Sequence, residues 1–79
     1  MATGNFYQIA SEIVDGALAH GVSTAEFIEA CGGLDEAISE IVRFYKGDGK
    51  NAVFENVYGE PMDANSDEFR RYVEAGLQA

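Results

Sequence analysis

The chain has 79 residues, 47% of them hydrophobic, with five Phe and four Tyr and a formal charge of −9. That is room for one domain with one core, and the apolar content excludes a disordered chain. No apolar run approaches the roughly 20 residues that span a bilayer, and Met1-Ala2-Thr3-Gly4-Asn5 lacks the basic start and apolar stretch of a signal peptide. The single cysteine, Cys31, excludes an intramolecular disulfide and fits a reducing cytoplasm.

The charge is laid out unevenly. Residues 1–42 hold seven acids, Glu12, Asp15, Glu26, Glu29, Asp35, Glu36 and Glu40, and no Lys or Arg. Residues 43–79 hold seven acids and all five bases. An anionic first half opposes direct contact with nucleic acid or an anionic membrane, because like charges repel before any contact forms. It favours a basic protein surface as partner.

The predicted fold is mainly α, a compact bundle of four to five short helices in a single domain, residues 1–79. Phe6, Ile9, Ala10, Ile13, Val14, Ala17 and Leu18 recur at three- and four-residue spacing, which predicts an amphipathic helix over about 5–20. Gly21 is placed for its left-handed cap. Ser23 and Glu26 form an S-x-x-E capping box, with Val22 and Phe27 at the positions of a hydrophobic staple. That helix carries Phe27, Ile28, Ala30 and Cys31 and should stop at Gly32-Gly33. A third helix is expected over Leu34–Lys46, burying Leu34, Ala37, Ile38, Ile41, Val42 and Tyr45, with Asp35 and Glu36 at its positive end and Arg43 and Lys46 at its negative end. Gly47-Asp48-Gly49 should break it.

For 52–58 the pattern is ambiguous. Val53, Phe54, Val57 and Tyr58 are spaced for a short helix, which we prefer, with a short strand or hairpin as the alternative. Gly59-Glu60-Pro61 is read as a turn. Asn65 or Ser66 then caps a last helix that buries Phe69, Tyr72, Val73 and Leu77 and exposes Arg70 and Arg71.

Catalytic and metal chemistry find no constellation here. His20 and Cys31 are the only imidazole and thiol, too few for a zinc site, and an EF-hand loop begun at Asp48 places Lys50, Ala52 and Gly59 where oxygen ligands belong. His20 is read as a buried or helix-capping residue. Cys31 stands at a helix C-terminus, where the dipole raises a thiol pKa, so a structural role is expected. Gly32-Gly33 precedes a helix, but Asp35 and Glu36 line that N-terminus and would repel phosphate. The expectation is a non-enzyme with no cofactor.

Acyl carrier proteins share this size, acidity and helicity, but their arm attaches to a serine in an Asp-Ser-Leu context. Gly33-Leu34-Asp35-Glu36 offers no serine. The stretch Ala17–Phe27 resembles a helix-turn-helix over roughly residues 8–31, either as that motif or as an ordinary helical corner. Its second helix carries Glu26 and Glu29 where a DNA reader needs basic or amide side chains, so DNA reading is not expected.

In size, acidity, the base-free first 42 residues and the lack of catalytic residues, the chain resembles small phage-encoded inhibitors of host defence, including anti-CRISPR proteins. That resemblance implies an inhibitor that blocks a nucleic-acid-binding effector complex, with carboxylates standing in for phosphates. It nominates Glu12, Asp15, Glu26, Glu29, Asp35, Glu36 and Glu40 as partner contacts. The alternative is an adaptor, antitoxin-like protein or accessory subunit that docks through an apolar patch around Phe54, Tyr58, Phe69 or Tyr72. A homodimer would help an otherwise small core.

Overall fold

Four helices and one hairpin follow one another along the chain in a computed structural model that describes residues 5–47 and 54–78. Helix α1 is Phe6–Ala17, α2 Thr24–Cys31, α3 Leu34–Lys46 and α4 Asp67–Gln78. Strands β1, Phe54–Glu55, and β2, Pro61–Met62, pair antiparallel with Phe54 opposite Met62 and Glu55 opposite Pro61. The mainly helical reading holds, and the strand pair takes the alternative reading of 52–58.

Three of the four described helices start where a side chain satisfies a free backbone donor, and α3 starts at Gly33 without one. Asn5 Oδ1 accepts from the Gln8 N–H at 2.7 Å, and Ser23 Oγ accepts from the Glu26 N–H at 3.2 Å. The Ser23 hydroxyl also donates to Glu26 Oε1 at 3.3 Å, so the two residues of the capping box meet. Ser66, and not Asn65, caps α4: its Oγ accepts from the Phe69 N–H at 3.2 Å. Asn65 donates instead to Asp63 in the turn before it.

The helix ends are less uniform. Gly32 takes a left-handed conformation (φ 93°) and closes α2, its N–H donating to Glu29 and Ile28 carbonyls while Gly33 N–H donates to Ile28. Helix α1 stops earlier than its periodicity predicts. Leu18 is already extended at the C-cap, and Gly21 (φ 86°) belongs to a separate turn in which Val22 N–H donates to the Ala19 carbonyl. The apolar pattern continued through Leu18 because that side chain still packs against the core.

The helix preferred for 52–58 is overturned by one buried residue. Asn56 is the only buried polar side chain among the described residues, and its Oδ1 accepts from the Tyr58 and Glu60 N–H groups at 2.9 and 3.0 Å. Its amide donates to Glu68 on α4 at 3.0 Å and to Glu60 at 3.4 Å. A side chain that bonds two backbone donors ahead of it outcompetes a helical ladder. The turn is therefore Asn56–Gly59, with Gly59 N–H on the Asn56 carbonyl, and Pro61 lies in β2 and not in the turn. Residues 52 and 53 of the expected helix lie outside the described residues, as do Asp48 and Gly49 of the expected helix break.

The core forms one cluster. Helix α1 packs mainly on α4, and α3 packs on α4 and on α2. At its centre the Tyr45 ring meets Phe54 and Phe69 edge-on, with centroids 5.2 and 5.8 Å away. Gly76 lets α1 and α4 close up: a Cβ there would overlap the Ala10 carbonyl and a Val14 methyl. No described helix is long and apolar enough to cross a membrane.

Candidate protein-binding surface

Glu12 and Asp15 lie on α1 one turn apart, on the side away from its buried face of Ile9, Ala10, Ile13 and Val14. Glu26 and Glu29 stand likewise on α2, opposite the side where half-buried Phe27, Ile28 and Cys31 meet the core. On α3, Glu36 and Glu40 project opposite Ala37, Ile38, Ile41, Val42 and Tyr45. Asp35 sits beside them in the first turn of α3, where the helix dipole favours a carboxylate. All seven nominated acids are exposed.

Exposure follows from the residue types and their spacing, since a buried unpaired carboxylate would cost several kcal/mol. The arrangement among helices depends on packing. Glu40 and Glu36 both act on Cys31 at the end of α2: partial burial, then these two carboxylates, push its thiol pKa up. The direction matches the sequence reading, with burial first and the two neighbouring acids next as its causes. The α3 acids and the C-terminal end of α2 thus share one side of the molecule. Glu12 and Asp15 sit on α1, whose main partner is α4. The seven carboxylates are carried in small groups by three helices.

Few of them are neutralised. Glu40 pairs with Arg43 one turn on, with both side chains largely exposed, and that is the only ion pair among the described residues. Asp15 accepts from the Ser11 hydroxyl at 3.5 Å, and Glu26 holds Ser23. An exposed pair is worth less than about 1 kcal/mol and leaves most of the field unscreened by protein charge.

The residues of the apolar alternative separate. Phe69 and Tyr72 are buried in the core at 0% and 4% exposure, Phe54 is half-buried, and Tyr58 alone is free at 81%. Tyr7 and Phe44 are the other large exposed hydrophobics among the described residues. The amphipathic pattern of α4 already placed Phe69 and Tyr72 inward; the exposed Tyr7 and Phe44 gave no signal beyond falling off their helices' apolar faces.

His20 is neither buried nor a helix cap. It is exposed in the Ala19–Val22 turn and lines, with Asp15 and Leu18, a shallow recess of about 290 Å³. Among the described residues no three His, Cys, Asp or Glu side chains come together to hold a metal ion. The helix-turn-helix reading is not supported by the packing: residues 18–23 separate α1 from α2, and α2 lies on α3, with little contact to α1.

No protein-family model, curated protein or solved structure matches the chain.

Proposed function

We propose that the chain is a cytoplasmic protein-binding inhibitor that presents its carboxylates to a basic protein surface and blocks a nucleic-acid-binding complex, in the manner of an anti-CRISPR protein. The observation that carries the reading is the exposure of Glu12, Asp15, Glu26, Glu29, Asp35, Glu36 and Glu40 on three helices of a segment without a single Lys or Arg. The like-charged pairs at i, i+3 and i+4 each cost the helices about 0.2–0.5 kcal/mol. A basic groove would relieve that repulsion, and opposite fields would speed the encounter.

The adaptor reading loses part of its proposed surface, since Phe69 and Tyr72 are committed to the core. The inhibitor reading is tested by competition. The purified protein should displace nucleic acid from the complex it captures, and displacement should weaken steeply between low and high salt as the Debye length falls from about 10 Å at 0.1 M to 3 Å at 1 M. Displacement that is indifferent to salt would argue for an apolar interface instead.

A further inference from the structure

The basic residues of this acidic chain are also not scattered. Ser39, Val42, Arg43 and Lys46 follow one another along one flank of α3, at the spacing that keeps side chains on a common stripe, and Arg70 faces them from α4. Together they line an open recess of about 260 Å³ with Val42, itself buried, among its walls. Three of the four Lys and Arg residues among the described residues thus converge on one concavity.

We propose that this recess is an anion site for a compact phosphate group carrying two or more charges, such as free pyrophosphate or the phosphate end of a nucleotide. Three cations drawn into one recess repel each other, and a multiply charged oxyanion between them turns that repulsion into attraction. Guanidinium groups suit the task because their planar N–H forks match the oxygens of a phosphate, while Lys46 adds a mobile point charge and Ser39 a hydroxyl. One guanidinium nitrogen of Arg43 is held by Glu40, which leaves its other donors. Neither Lys46 nor Arg70 has a carboxylate within ion-pair distance among the described residues.

The size limits the ligand. Pockets that bury a whole drug-sized molecule run to about 300–1,000 Å³. A smaller, open recess holds the phosphate and leaves any attached base in solvent. The surrounding carboxylates, Asp35 on the same helix and Asp67 and Glu74 on the turns either side of Arg70, disfavour a long polyanion that would run over them. At physiological salt their field fades over about 8 Å, so it does not cancel the contact charges.

The test is a titration of the ¹⁵N-labelled full chain with pyrophosphate, ADP and adenosine, with sodium sulfate at matched ionic strength as reference. Pyrophosphate and ADP should give saturable shifts at the Ser39, Arg43, Lys46 and Arg70 amides, and adenosine none. ADP binding about as tightly as pyrophosphate would admit a nucleotide as the source, and ADP binding much more weakly would assign a free phosphate. K46E and R70E should each weaken binding by about tenfold or more, the loss of one charge-assisted contact. R71E, an equal charge change on the same helix but outside the recess, should retain binding. A spectrum unchanged elsewhere shows that each variant is folded. Shifts that fail to saturate, that sulfate reproduces, or that R71E removes as fully as K46E would overturn the assignment.

Discussion

The Tyr45 hydroxyl donates a buried hydrogen bond to the Ile13 carbonyl of α1 at 2.6 Å, across 32 residues of chain. It ties the end of α3 to α1, which share few other contacts. Gly16 makes room for it: a Cβ at that position would stand 2.7 Å from the hydroxyl oxygen. Tyr45→Phe should therefore cost about 0.5–1.5 kcal/mol in urea unfolding, the usual net worth of one hydrogen bond. Gly16→Ala should destabilise the parent protein yet stabilise the Tyr45→Phe variant by up to about 1 kcal/mol, through helix propensity alone. Without a change of sign between the two backgrounds, the close approach of Gly16 and Tyr45 is not what sets the choice of glycine.

The same hydroxyl makes stability depend on alkaline pH. Burial raises the Tyr45 pKa above its ordinary value of 10.0, because the phenolate is disfavoured in the core. The folded state thus holds the proton more tightly than the unfolded state. The contribution is complete below pH 10.0 and is lost as pH rises from there through the folded pKa. Thermal unfolding scanned from neutral pH upward should show a decline above about pH 10 that is shallower in Tyr45→Phe.

Gly76→Ala should destabilise despite the better helix propensity of alanine. The added methyl would push apart α1 and α4, the largest helix pair in the fold, at the Ala10 carbonyl and Val14. Overpacking of this kind costs about 1–3 kcal/mol, more than the gain of about 1 from propensity. A midpoint in urea equal to or above the parent's would show that the two helices can separate freely.

Asn56→Ala should open the hairpin loop. It removes the acceptor of the Tyr58 and Glu60 N–H groups and the Glu68 link to α4, each lost hydrogen bond being worth about 0.5–1.5 kcal/mol. Hydrogen exchange should speed up at residues 54–62 before it does in α1 or α3. Uniform loss of protection across the chain would mean that the loop is not a separate local unit.

Where local chemistry decides an element, the sequence told its boundaries. Helix α2 is fixed by Ser23 and Gly32, and α3 by Gly33 and Gly47, all within one or two residues of the helix they bound. The hairpin was less legible because the local bonds of Asn56 to the Tyr58 and Glu60 N–H groups are joined by distant ones: Asn56 bonds Glu68, and the Val57 N–H reaches the Tyr72 hydroxyl at 3.2 Å. The outward placement of the seven acids followed from helical spacing. Their distribution over three helices, with only Glu36 and Glu40 brought beside the end of α2, is set by how the helices pack and no local pattern encodes it.

The carboxylate surface is tested most directly with Glu26→Gln, Glu29→Gln, Glu36→Gln and Glu40→Gln combined in one chain. Removing like-charge pairs should leave the fold at least as stable, the lost exposed Glu40–Arg43 pair being worth about 0.2–0.5 kcal/mol, so a loss of binding could not be blamed on unfolding. Parent and variant would be used as bait in nuclease-treated cell lysate, eluted with rising salt and identified by mass spectrometry. The account predicts a nucleic-acid-handling complex that leaves the parent at moderate salt and is absent from the variant. A partner held equally by both proteins through high salt would contradict it.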